Sequence, residues 1–129
     1  MKRISISISL ILSVSLFLIS CSQDSKKTVV KKNEKYYQTQ MCNHLEGEME
    51  VVLHDKTRVD CLTDEYAIEV DWAKKWAEGV GQSIYYAEIT KKKPAIGLIM
   101  ANTKTDERHY KRLSVVARKL NIHIIRLDK

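Results

Sequence analysis

From Glu34 to Lys129 the apolar residues recur with two different periods, and the switches between them divide the chain into elements. Tyr37, Met41, His44 and Leu45 fall at helical spacing within EKYYQTQMCNHL (34–45), and Gly47 follows as a stop, so a first helix is predicted there. EMEVVL (48–53), RVDCLT (58–63) and YAIEVD (66–71) each alternate with period two. HDKT and Asp64-Glu65 supply tight turns between them, which predicts an antiparallel three-strand meander. At Trp72 the period lengthens: Trp72, Trp76, Val80, Ile84 and Ala87 form the stripe of an amphipathic helix. AIGLIM (95–100) is a continuous apolar run, as a strand covered on both faces should be. Thr105 or Asp106 can cap a last helix with the stripe Tyr110, Leu113, Val116, Ala117 and Leu120, which Asn121 can end. HIIRL (123–127) is a final strand. The predicted class is α/β: helix, three-strand meander, helix, strand, helix, strand, with a mixed sheet flanked by helices.

Ahead of this domain the pattern changes. Lys2 and Arg3 precede the uncharged, serine-interrupted run ISISISLILSVSLFLIS, which stops at Cys21. A basic start, a short apolar stretch and then small residues are the physical pattern of an export signal; a permanent membrane span is the competing reading, but the run barely reaches the needed length. Leu18-Ile19-Ser20-Cys21 resembles a bacterial lipobox. That resemblance implies a signal peptide over 1–20 and lipidation of Cys21, with several acyl chains holding the protein to a membrane at about 0.8 kcal/mol per buried methylene. It also implies an envelope location facing the periplasm, with Ser22 favouring the outer membrane. Residues 22–35 hold five lysines and little that could enter a core, so 21–35 reads as the lipidated cysteine and a flexible tether, and 36–129 as the folded domain.

Charge changes the picture modestly. The whole chain carries +6, and removal of residues 1–20 takes two bases and no acid, leaving 20 basic and 16 acidic residues, or +4. A lysine-rich solvated surface accounts for this, and so does contact with nucleic acid or anionic lipid. Against that background Arg58 to Asp71, RVDCLTDEYAIEVD, concentrates five carboxylates in fourteen residues. Side chains alternate along a strand, so Arg58, Asp60 and Leu62 are expected on one face while Val59, Cys61 and Thr63 share the other. On the next strand Ala67, Glu69 and Asp71 share a face. Pairing the two strands around Asp64-Glu65 brings Asp60 and Glu69 to neighbouring positions, roughly 5 Å apart. Two carboxylates that close are compatible with a proton on one of them or a cation between them, and a hard divalent ion takes such pairs with backbone oxygen and water.

Asp60 and Glu69, the element order, and Gln82 and Tyr86 in GQSIYY together resemble the PD-(D/E)xK nuclease superfamily, in its RecB-like QxxxY branch. The resemblance covers roughly residues 34–129 and implies a restriction-endonuclease-like core. It implies that Asp60, Glu69 and the carbonyl of Val70 hold magnesium or manganese, and that the metal activates a water for phosphodiester hydrolysis of DNA or RNA. It also places Gln82 and Tyr86 against the nucleic acid, and implies no organic cofactor. The family has lysine two residues after the glutamate, where this chain has Asp71. Two readings follow: Lys75, one helical turn later and in line with Gln82 and Tyr86, supplies the missing cation, or Asp71 simply N-caps the helix. The same departure leaves open a domain without catalysis that serves as a nucleic-acid or protein binding module of the envelope.

The remaining conspicuous residues have structural readings. Cys42 and Cys61 in an oxidising compartment suit a disulfide closing a loop of some 20 residues, contributing roughly 3 kcal/mol. The set Cys42, His44, His54 and Cys61 matches no compact zinc spacing. Trp72 and Trp76 read as core, and Glu50 as either a further member of the acidic cluster or a solvated side chain. Lys91, Lys92 and Lys93, with Arg108, Lys111, Arg112, Arg118 and Lys119, are either surface charge or a phosphate track that binds nucleic acid. The lipid anchor is tested directly: cells expressing the full chain should incorporate labelled fatty acid, and Cys21→Ser should abolish the incorporation.

Overall fold

The computed structural model describes residues 32–129; the expected signal peptide, Cys21 and most of the expected tether lie outside them. Helix α1 (Glu34–His44) leads into strands β1 (Glu48–Val52), β2 (Arg58–Leu62) and β3 (Tyr66–Trp72). A 3-10 turn (Ala73–Lys75) then opens α2 (Trp76–Thr90), followed by β4 (Lys93–Met100), α3 (Lys104–Leu120) and β5 (His123–Asp128). The five strands form one mixed sheet in the order β1-β2-β3-β4-β5. The meander β1-β2-β3 is antiparallel, and β3, β4 and β5 run parallel. No described helix is long and apolar enough to cross a membrane.

Alternation on the central strands sorts the side chains between two layers. Ile68, Val70, Ala95 and Ile99 pack with Tyr37, Met41 and Cys42 of α1. Ile96, Leu98 and Met100 pack with Leu113 and Ala117 of α3, and Trp76 and Val80 of α2 join them. Helices therefore cover both faces, which is why β4 is apolar without interruption. Trp72 leaves the expected α2 stripe and packs edge-on against Tyr37 on the α1 side, because it still belongs to β3. Trp76 is partly buried against the α2–α3 layer.

Capping differs from the sequence pattern in two places. Thr103, rather than Thr105 or Asp106, caps α3 by accepting from the backbone N–H of Asp106. Asp71 is not an N-cap: the 3-10 turn begins after Trp72 with no side-chain cap. Asn121 does end α3, in the left-handed conformation.

Cys42 of α1 and Cys61 of β2 lie at disulfide distance, with Cα atoms 5.6 Å apart and both side chains fully buried. Gly47 is needed here for room: a Cβ at that position would stand 2.6 Å from the Cys61 sulfur. The bridge ties α1 to the sheet beside Asp60. Reduction should lower the melting temperature of the domain by several degrees or more, consistent with roughly 3 kcal/mol for a loop of this length, and the oxidised protein should show no titratable thiol at Cys42 or Cys61.

Candidate functional site

The strict alternation expected of β2 breaks at Asp60. Cys61 packs toward α1, yet Val59 packs with Ala67 and with Tyr86 of α2, so the two residues face opposite layers. On β1 the same switch occurs between Met49 and Val51, the partners of Cys61 and Val59. Glu50, between them, sits in the left-handed region at φ 59°, a conformation that turns the chain over. The β2–β3 ladder also stops here, at Cys61↔Ile68, leaving Asp60 free of backbone pairing with Glu69. Instead the Asp60 carboxylate accepts from the backbone N–H of Val70 through Oδ2, at 2.8 Å.

Gln38 of α1 holds this break. Its side chain is buried, and Nε2 donates to the Asp60 carbonyl at 2.8 Å and to Glu50 Oε1 at 2.7 Å. Glu50 is itself neutralised by Lys35 at 2.5 Å and Arg58 at 2.6 Å, which hold its carboxyl below the usual range. Glu50 thus braces the site through its paired charges, and its carboxylate also adds to the rise of the Asp60 carboxyl. The sequence reading missed Gln38, although a signal was present: it lies four residues before Cys42, so a helix that turns Cys42 to the sheet turns Gln38 there as well.

An open cleft of about 370 Å³ gathers Asp60, Glu69, Asp71, Lys75, Gln82 and Tyr86, with Glu34 and Glu78 at its acidic margin. Glu69 and Asp71 project from β3 beneath α2, 7% and 2% exposed. The Glu69 Oε2, Asp71 Oδ1 and Gln82 Oε1 oxygens are buried without a hydrogen-bond partner. Lys75 reaches Asp71 at 3.3 Å, an ion pair without hydrogen-bond alignment. Val70 contributes differently. Its N–H points to the β2 side, and in an extended strand its carbonyl points to that same side, toward Asp60. Lys91, Lys92 and Lys93 stand apart from this group. They follow α2 at the end opposite Lys75, about 22 Å along the helix, where they contact Glu88, the Asp64 carbonyl and Glu65.

Burial dominates the electrostatics. It pushes Glu69 up to about 9, with the charges of Asp60 and Asp71 adding to the effect. Burial also raises Asp60 to about 6, partly opposed by the Val70 N–H, and raises Asp71 against the pull of Lys75. Glu69 therefore carries a proton at neutral pH in the metal-free domain. Among the described residues no three His, Cys, Asp or Glu side chains converge as a metal cage, whether the carboxylates or the set Cys42, His44, His54 and Cys61. The cleft's donor set is two or three hard oxygens with room for water, which suits magnesium or manganese that keeps much of its hydration. No family model, curated protein or solved structure matches this chain.

The sign of the pH dependence follows. Glu69 titrates near its ordinary 4.5 when unfolded and near 9 when folded, so the folded domain holds the extra proton between those values. That stability is fully present below about 4.5 and is lost as pH rises toward 9; Asp60 adds a smaller loss between its ordinary 3.8 and about 6. Denaturant melts of the metal-free domain should show it less stable at pH 8 than at pH 5, by at least about 1.4 kcal/mol, and Glu69→Gln should flatten the slope.

Proposed function

We propose that the domain is a divalent-metal-dependent phosphodiesterase acting on nucleic acid, with a restriction-endonuclease-like core. The observation that carries this reading is that Asp60, Glu69, Asp71, Lys75, Gln82 and Tyr86 line one cleft, with Glu69 Oε2 and Asp71 Oδ1 buried there without a hydrogen bond and only Asp71 paired to a cation. Asp60, Glu69 and the Val70 carbonyl would hold magnesium or manganese. When bound, the ion supplies an acidified water and neutralises charge on the leaving oxygen.

The protein's own groups have separable roles. Gln38 and the Val70 N–H fix Asp60, so one donor oxygen is aimed before any ligand arrives. Glu69 must lose its proton to become a donor, and the neighbouring negative charges keep it a strong base once ionised. Lys75 is the cleft's ammonium, a half-exposed side chain from the 3-10 turn, and it supports the reading in which the missing family lysine has moved one turn along the chain. Asp71 both holds that ammonium and adds a further carboxylate. Gln82 and Tyr86 line the same cleft one helical turn apart, and in this reading they would contact the sugar or base of the substrate.

Asp71 in the lysine position favours the second reading, a nuclease-like fold that binds without cutting. One experiment separates the two. The mature domain is incubated with single- and double-stranded DNA and RNA, with and without magnesium or manganese, beside calorimetry of metal binding. Cleavage should require metal; Asp60→Ala and Glu69→Ala should abolish binding and cleavage at little cost in stability. Lys75→Ala should lower the rate at least tenfold with metal affinity unchanged. Metal binding without cleavage supports the binding module. A wild type that neither binds metal nor cuts, while Glu69→Ala unfolds, makes the cluster structural.

A further inference from the structure

Helix α3 carries a surface that the cleft does not use. Arg108, Lys111, Arg112, Arg118 and Lys119 are all exposed and, among the described residues, none is in an ion pair. At about 100° per residue they fall within an arc of about 120°, directly opposite the buried Leu113 and Ala117, and extend about 16 Å along the axis. The two acids of the helix leave that arc uncompensated: Asp106 accepts from the Ala101 N–H, and Glu107 pairs with Arg126 of β5. At the centre of the arc sits Val115, 61% exposed.

We propose that this face docks on an anionic phospholipid surface. Unpaired cations on one side of a helix complement a sheet of lipid phosphates, and long basic side chains can reach headgroups while an apolar residue between them enters the interface. A nucleic-acid track is less well matched. The arc holds no aromatic side chain on which a base could stack, and no α3 residue lines the cleft where a phosphodiester would be cut. A chain anchored at Cys21 would be held beside such a surface, but the proposal stands on α3 alone and is tested without the anchor.

The test uses the unacylated chain from Ser22 to Lys129, which contains every described element, sedimented with vesicles of phosphatidylcholine alone or with added phosphatidylglycerol. Binding should require the anionic lipid and fall away at high salt. Lys111→Glu with Arg112→Glu should weaken it more than about tenfold. Val115→Ser should weaken it further than salt alone explains, while Lys56→Glu on the β1–β2 turn should leave it unchanged. All variants should keep the wild-type melting temperature, since every altered side chain is exposed. Equal partitioning to neutral and anionic vesicles, equal loss in Lys56→Glu, or preferential retention on duplex nucleic acid that anionic vesicles fail to displace would each overturn the proposal.

Discussion

Two carboxyl groups buried on the central strand of the sheet are the constraint around which this domain is arranged. Glu69 and Asp71 lie beneath α2 with one partly exposed lysine, Lys75, as the nearby cation. A fold built for stability alone would fill such positions with apolar side chains, because an unpaired carboxylate there costs several kcal/mol and a neutral carboxylic acid still wants partners. The surroundings limit that cost without removing it. Burial keeps Glu69 protonated, Lys75 offsets Asp71, and Asp60 is held to the Val70 N–H at the point where the β2–β3 ladder ends. What is left is a carboxyl-lined cleft in which Glu69 Oε2 is buried without a hydrogen-bond partner.

The support for that space comes from the other layer. Gln38 and the Cys42–Cys61 pair, one helical turn apart on α1, grip β2 at the position where its side chains change faces and at the residue after it. Gly47 lets the chain pass close to the bridge. A break in strand alternation would ordinarily be a weak point. Here a buried amide satisfies the Asp60 carbonyl that lies at the break, and the bridge limits how far the strands can move apart.

The element order was legible because most elements keep their period: β3 alternates, β4 is apolar throughout and α3 has a clear stripe, while on α1 and α2 the predicted stripe residues His44, Leu45 and Ile84 lie exposed. The placement of Glu69 and Asp71 on one face followed from β3, a regular strand. Asp60 was harder. Its role as a member of the cluster could be read, but the reversal that separates Val59 from Cys61 depends on Glu50 adopting a left-handed conformation without being glycine, which no local residue preference announces. The capping role considered for Asp71 fails because β3 continues through Trp72 and the helix starts with a 3-10 turn. Lys91 to Lys93 could be read from charge alone only as surface or as a phosphate track, and they lie the length of α2 from the cleft. The QxxxY-like pair came out together since residues four apart share a helix face.

The account turns on Glu69 being a proton-holding acid that a divalent cation converts into a ligand. Its most direct test is calorimetric titration of magnesium into the metal-free domain at pH 7, repeated in two buffers of different ionisation enthalpy, which counts the protons released per ion bound. With Glu69 held near 9 and Asp60 near 6, about one proton should leave for each ion bound, and that release should disappear in Glu69→Gln. Binding with no proton release, or release unchanged in Glu69→Gln, would contradict it.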